Sequence, residues 1–333
     1  MNKLIHHKGI NILIKSIVVF LLAMIIYQQV VAKDNIHDLW NAFYEQLAWQ
    51  NIHWVVFALF LMPINWAFET MKWQQLIKNF ETISFGKAYQ AIFSGITFSI
   101  FTPNRVGEYG GRILMVKPEN NWKAVIATLV GSFSQLLVLL TMGWLGLIYF
   151  IQHYVEMENL LLLGISCIGV ALLLLMIFVF YNVDMMIPIA KKIPYIHKFK
   201  HFIKHVRVLK NYTSRELTMT LGYSLARYLV YMIQYYLFLQ FFGIEITLVA
   251  ALASIATIFL LQTSIPLPPL AGLFVRGEVA LFVWSHFSTN ELSILAATFS
   301  LWILNLIIPS LIGAVFIINT NVLKSLGYEK NNA

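Results

Sequence analysis

Charge is what this sequence has least of: Asp, Glu, Lys and Arg make up 11% of its 333 residues, where a soluble domain carries about a quarter. A water-facing surface cannot be built from so little. The hydrophobic fraction of 59% points instead to an all-α, polytopic membrane protein. Cysteine is nearly absent too. Cys167 stands alone in an apolar run, which excludes an internal disulfide, a cysteine metal site and dithiol redox chemistry. Long polar stretches are also missing: none exceeds about 35 residues, against the roughly 50 that a small soluble domain needs. Acids are outnumbered, 15 against 23 Lys and Arg, for a net charge of +8. In a membrane chain such an excess collects in cytoplasmic loops, and it does not argue for nucleic acid.

What is present is a series of apolar runs. Lys3, Lys8 and Lys15 precede the run 16–27, read as an uncleaved first span rather than a signal peptide ending near Ala32. An outer loop, 33–51, ends among Trp40, Trp49 and Trp54, which fit an interfacial belt. The second span, 54–73, contains Pro63, Asn65 and Glu69, with Glu69 expected near the interface beside Lys72. Runs 124–150 and 160–180 flank a loop holding Glu156 and Glu158, with Ser132, Ser134 and Gln135 as polar glue between helices. Segment 182–215 carries eight Lys and Arg against Asp184 and is expected in the cytoplasm. Within it Phe199, Phe202, Ile203, Val206 and Leu209 recur at helical spacing opposite His197, His201 and His205. That pattern predicts a helix lying on anionic headgroups; no carboxylate or cysteine completes a metal site. Runs 216–242 and 291–319 bring the count to about six full spans.

Three ionisable groups interrupt this pattern in the stretch Thr102-Pro-Asn-Arg-Val-Gly-Glu-Tyr-Gly-Gly-Arg112. The preceding run, 88–101, makes a helix of roughly 21 Å, too short for a hydrocarbon core of about 30 Å, so it enters the bilayer without crossing. Thr102 is a ready N-cap and Pro103 suits a first turn, so a second half-helix is expected to start there. Arg105, Glu108 and Arg112 then share one face, Glu108 can pair with both arginines, and Tyr109 lies beside them. One reading is an ionic clip. The other is an anion site, because two Arg against one Glu leave a positive excess, the half-helix N-terminus adds to it, and both suit a lipid phosphate. Arg227, near the middle of its span beside Tyr228, is either a third phosphate contact or a partner of Glu108 or Glu278.

The same plan recurs downstream. The short run 248–265 ends in Pro266-Leu-Pro-Pro269, followed by Gly272, Arg276, Gly277 and Glu278. The Lys/Arg bias starts the two hairpins from opposite membrane faces, which predicts two re-entrant hairpins in an inverted repeat. The chain is thus read as one integral membrane domain, 1–333, with repeats at about 54–150 and 216–319 joined by the basic linker 182–215. Both termini fall in the cytoplasm.

These motifs resemble the lysylphosphatidylglycerol synthase transmembrane region family, flippase-like integral membrane proteins, over about 54–319. The family pattern Thr-Pro-x-x-x-Gly-Glu-x-x-Gly-Arg is met by Thr102, Pro103, Gly107, Glu108, Gly111 and Arg112. A second pattern, Pro-Gly-Gly-x-Gly-x-x-Glu, is met loosely by Pro269, Gly272 and Glu278; Leu270 replaces a glycine and Gly277 precedes the acid. The resemblance implies an inner-membrane protein that moves or modifies lipids, here without the soluble aminoacyltransferase domain of the full synthases, so lipid aminoacylation is not expected. The leading expectation is a non-enzymatic translocase for an anionic lipid or lipid-linked intermediate, using no cofactor or metal. Its substrate contacts would be Thr102, Pro103, Arg105, Gly107, Glu108, Tyr109, Arg112, Arg227, Pro269, Gly272, Arg276 and Glu278. The alternatives are an intramembrane lipid-modifying enzyme with Glu108 as general base, or a non-catalytic membrane partner of a lipid or envelope enzyme.

Overall fold

The computed structural model describes residues 50–100, 102, 105–185, 207–264 and 269–320, with side chains of 269–274 excepted, and a few isolated positions before residue 50. The expected span 16–27, the outer loop after it and the histidine row at 197–205 lie outside this set or almost so. Every regular element among the described residues is helical. In chain order these are α1 (Ile52–Ile77), α2 (Phe85–Ile100), α3 (Gly107–Ile113), α4 (Asn121–Tyr154), α5 (Asn159–Tyr181), α6 (Ser214–Phe241), α7 (Leu248–Ser264), α8 (Pro269–Trp284), α9 (Glu291–Trp302) and α10 (Ile308–Ile318). A π-helical turn, Ile303–Ile307, joins α9 to α10 without a break.

Local chemistry sets several boundaries. Thr213 starts α6 with a capping box: its Oγ1 accepts from the Glu216 amide at 3.3 Å while the Glu216 carboxylate accepts from the Thr213 amide at 2.9 Å. Gly243, at φ +70°, takes the left-handed conformation that ends the helix. At α9 the Asn290 side chain accepts from the Ser293 amide at 3.1 Å.

Among the described residues four helices are long and apolar enough to cross a membrane: 52–77, 118–154, 159–181 and 291–318. About six were expected. The run 16–27 is largely undescribed, and α6, at 28 residues long enough to span, is too polar to qualify by composition. Helices α2 and α7, of 16 and 17 residues, reach only about 25 Å at 1.5 Å per residue. The most apolar helix, α5, buries only 6% of its span in the protein, so it offers the bilayer an almost wholly apolar cylinder.

Helices α1 and α6 pack along each other at the centre. Around them the neighbours come in matching pairs: α2 beside α1 and α7 beside α6; α3 beside α4 and α8 beside α9; α2 against α10 and α7 against α4. One apolar cluster fills the first half, with Trp66, Trp73, Ile92 and Phe93, and a second fills the other, with Tyr235, Ile258, Trp284 and Ala297. An amide chain crosses between them: Asn65 donates to Asn305 Oδ1 at 2.8 Å, Asn305 to Gln234 Oε1 at 3.0 Å, and Gln234 to the Ala58 carbonyl at 3.0 Å. Such bonds tie helices together where apolar surface alone gives no preference for protein over lipid. Ser134 meets Ser224 at 2.7 Å, the interhelical role its sequence position implied, while Ser132 is exposed.

Candidate functional site

The α2–α3 hairpin depends on close backbone approach. A Cβ on Gly111 would overlap the backbone of Gly95 and the carbonyl of Ser94, and one on Gly95 would stand 3.0 Å from the Glu108 carbonyl oxygen. Only glycine at the crossing lets the two helices touch. The turn between them holds Arg105 at φ +59°, a left-handed conformation that costs a non-glycine residue roughly 1 kcal/mol or more. Thr102 Oγ1 accepts from the Gly107 amide at 2.6 Å. The α-helix itself runs from Gly107; Arg105 before it ends a 3-10 turn, its amide donating to the Thr102 carbonyl at 3.3 Å, and Pro103, expected to open the half-helix, lies outside the described residues.

Glu108 pairs with both arginines, as the spacing requires. It contacts Arg112 Nη2 directly and lies 3.7 Å from Arg105 Nη2. The two arginines differ sharply in setting: the Arg112 side chain is 2% exposed and that of Arg105 50%.

The centre of the cluster is a residue whose place the sequence did not give. Glu69 of α1, expected near the interface, is buried in the protein and holds three cations: Lys72 Nζ at 2.7 Å, Arg112 Nη2 at 2.8 Å and Arg227 Nη1 at 3.1 Å. The pairing with Lys72 was legible from their i, i+3 spacing; the inward position was not. Arg227 of α6 thus takes Glu69 as its ion-pair partner, not Glu108 or Glu278. Its guanidinium also stacks 4.6 Å from the Trp66 ring centre, and Arg112 lies 5.9 Å from that of Trp73. Gln135 of α4, anticipated as glue between helices, turns its Oε1 to Lys72 and Arg227, each at 3.5 Å. Four helices, α1, α3, α4 and α6, therefore meet at one ionic knot.

The second hairpin carries one more cation, Arg276 of α8, which is half-buried. Glu278 is exposed. It stands two residues on, which puts it on a different face of the helix. Pro269 and Gly272 fall in the first turns of α8, where the backbone alone is described. Tyr109 is half-buried beside Glu108. The structure thus gathers Arg105, Gly107, Glu108, Arg112 and Arg227 with Thr102. It does not bring Glu278 in.

Three buried N–H groups at the knot, Arg112 Nε, Arg227 Nε and the Trp66 indole, have no acceptor among the described residues. A buried donor left without a partner costs about 1–3 kcal/mol, so these groups favour an incoming acceptor. No three His, Cys, Asp or Glu side chains converge as a metal site among the described residues.

The sequence profile of the lysylphosphatidylglycerol synthase TM region matches residues 12–313 of the chain. No curated protein and no solved structure matches it. The hairpin with its Thr102, Gly107, Glu108, Gly111 and Arg112 lies well inside the matched region, and the chain belongs to the lysylphosphatidylglycerol synthase TM region family.

Proposed function

We propose that this membrane protein is a translocase for an anionic lipid or lipid-linked intermediate, with the phosphate held at the ionic knot. The observation that carries the reading is the unequal engagement of the arginines. Arg112 is enclosed between two carboxylates, whereas Arg105 is half exposed, only loosely held by Glu108 and placed on a strained backbone. Arg112, Lys72, Glu69 and Glu108 form the frame; Arg105, with Arg227 and Arg276, faces the substrate. Strained conformations of this kind concentrate where binding uses them.

The transport architecture has two supports. Helices α2 and α7 are too short to cross a hydrocarbon core of about 30 Å, which fits two re-entrant hairpins. The matching neighbours of α1–α4 and α6–α10 fit two repeats about a central α1–α6 axis; the Lys/Arg bias supports reading them as inverted with both termini in the cytoplasm, and the family supports an inner-membrane location. The geometry favours transport over chemistry, because Glu108 is engaged by two arginines rather than poised over a reacting group.

Arg105→Ala tests the proposal in proteoliposomes that report movement of labelled anionic lipids. The expected result is a steep loss of movement with little change in thermal stability, since a half-exposed ion pair contributes at most about 1 kcal/mol. Undiminished movement in this variant would overturn the assignment of Arg105 and with it the site.

A further inference from the structure

The helical stretch 291–318 has one weak point in its hydrogen-bond ladder, and that point lies against the end of the first hairpin. Between α9 and α10 the Ile308 amide bonds the Ile303 carbonyl, five residues back, in the π turn Ile303–Ile307. Pro309 follows in the first turn of α10. It has no N–H to continue the ladder, and its ring crowds the carbonyl four residues back, which belongs to Asn305. Prolines and π turns are where helices bend.

The two sides of this turn are held by different parts of the protein. On the near side Thr298 of α9 shares a hydrogen bond of 2.7 Å with Tyr235 of α6. Within the turn, buried Asn305 donates to Gln234 of α6 at 3.0 Å and accepts from Asn65 of α1 at 2.8 Å. The turn is therefore tied to the central helix pair. Beyond it, α10 has α2 as its chief neighbour. The Thr97 hydroxyl of α2 donates to the Ser310 carbonyl at 2.7 Å, and a Cβ on Gly313 would overlap the Phe93 carbonyl and the Thr97 hydroxyl. So close a contact leaves no slack between α10 and α2. Leu311, Ile312 and Val315, on the opposite face of α10, are exposed. At the end of α2, Ile100 packs with Ile307 of the turn and Ala314 of α10, a short way before Arg105.

Building on the translocase reading, we infer that the π turn is the hinge of transport: α10 and α2 swing about it as one body and carry Arg105 with them. The buried Arg112–Glu69 pair at 2.8 Å is the fixed end of the hairpin, and Arg105 on its left-handed backbone is the moving tip. Asn305 is a positioning residue that holds the turn to α1 and α6, and Pro309 keeps the turn from closing into an unbroken helix. Val315 lies about 12 Å past the turn at 1.5 Å per residue, so a bend of about 20° displaces it by about 4 Å.

The test uses the full chain, spin-labelled at pairs of cysteines in a Cys167→Ser background, in phosphatidylcholine nanodiscs with and without phosphatidylglycerol. The labelled positions, Val106, Leu229 and Val315, are exposed. Phosphatidylglycerol is expected to change the distance from Leu229 on α6 to Val315 on α10 by about 2–4 Å, while that from Val106 at the hairpin tip to Val315 stays within about 1 Å. Pro309→Ala, which returns an N–H to the ladder, should abolish the change and slow the movement of labelled phosphatidylglycerol in proteoliposomes about fivefold, with an unfolding midpoint equal to or above the native one. A proline that serves packing alone would give the native rate in a protein of native stability. The hinge is overturned, and the translocase reading left standing, if the native chain moves lipid with the Leu229–Val315 distance unchanged, or if the Val106–Val315 distance changes as much. A native rate in Pro309→Ala, or a slow rate accompanied by a lower midpoint, also overturns it. A native chain that moves no labelled anionic lipid refutes the translocase reading and the hinge together.

Discussion

Glu69→Gln is the sharpest test of how the knot is built, because the substitution removes one charge and almost no volume. In the native protein this carboxylate is the partner of Lys72, Arg112 and Arg227 at 2.7, 2.8 and 3.1 Å. The amide can accept one of those bonds, but it presents N–H donors to the other cations. Arg112 keeps Glu108; Lys72 and Arg227 keep only Gln135, at 3.5 Å. Removing one member of a buried pair costs about 3–5 kcal/mol. Two cations lose their carboxylate at once, which places this change at the upper end and lowers the unfolding temperature by about 10 °C. Lys72→Met should cost much less, because Glu69 retains two arginines. The double variant Glu69→Gln with Lys72→Met restores the native net charge of the cluster and should recover several degrees, a coupling that a double-mutant cycle measures directly. Detergent-solubilised protein followed by tryptophan emission on heating gives all four midpoints. A Glu69→Gln midpoint within about 2 °C of native would refute the claim that this residue holds the knot together, since surface pairs alone show so small a change.

Glu108→Gln leaves Arg112 paired with Glu69 and so should lower stability by no more than about 1–3 kcal/mol, while turnover in proteoliposomes drops and lipid affinity holds or rises; a fall in affinity with normal turnover counts against its role. Gly111→Ala drives a Cβ into the backbone of Gly95, and it should open the hairpin, abolish lipid movement and cost about 3 kcal/mol or more. Its control is Gly110→Ala, where no atom lies within 4 Å of the new Cβ and the helix gains up to about 1 kcal/mol. For topology, single cysteines replacing Glu156 and Lys210 in a Cys167→Ser background should react with an impermeant reagent from outside and inside respectively; labelling of position 210 in intact cells contradicts the inverted arrangement. Cys167 must go because it is exposed.

Much of this arrangement was legible in the sequence because low-dielectric surroundings make ionisable residues conspicuous. Arg105, Glu108 and Arg112 could be paired from spacing alone, since three- and four-residue separations place side chains on one helical face. The short runs before Thr102 and Pro266 gave the lengths of α2 and α7 to within a few residues. Glu69 was misplaced for a physical reason: near the end of a span, the side chain can reach either the interface or the interior, and one-dimensional pattern does not record which way the helix is rotated. A signal was present in the flanking Trp66 and Trp73, whose rings now stack with Arg227 and Arg112. Arg227 shows the same limit from the other side. Its need for an acid was evident, but the choice among Glu69, Glu108 and Glu278 depends on the crossing of α1 and α6, which is set by packing far from either residue. The left-handed backbone at Arg105 was not legible because such an arginine has no reliable sequence signature; propensity would assign that conformation to glycine or asparagine.

If the protein is the translocase proposed above, the two carboxylates of the knot have opposite consequences for a passing anion. Glu69 sits deep, on a helix that spans, and its bonds to three cations are short. Pulling Arg227 wholly away from it would leave a buried charge, so Glu69 fixes where the cations stay. Glu108 is on the hairpin, is 15% exposed, and holds Arg105 at 3.7 Å. A pair of that length with a half-exposed arginine contributes at most about 1 kcal/mol, so a phosphate can take Arg105 at little cost. It can also be displaced, because Glu108 remains beside the arginine and reclaims it as the anion departs. An arginine site without such an internal competitor would bind its substrate more tightly and release it more slowly, and uniform tightening of this kind adds nothing to turnover. In the proposed translocase the loose pair is therefore the part that would serve movement, and the tight one the part that serves the fold.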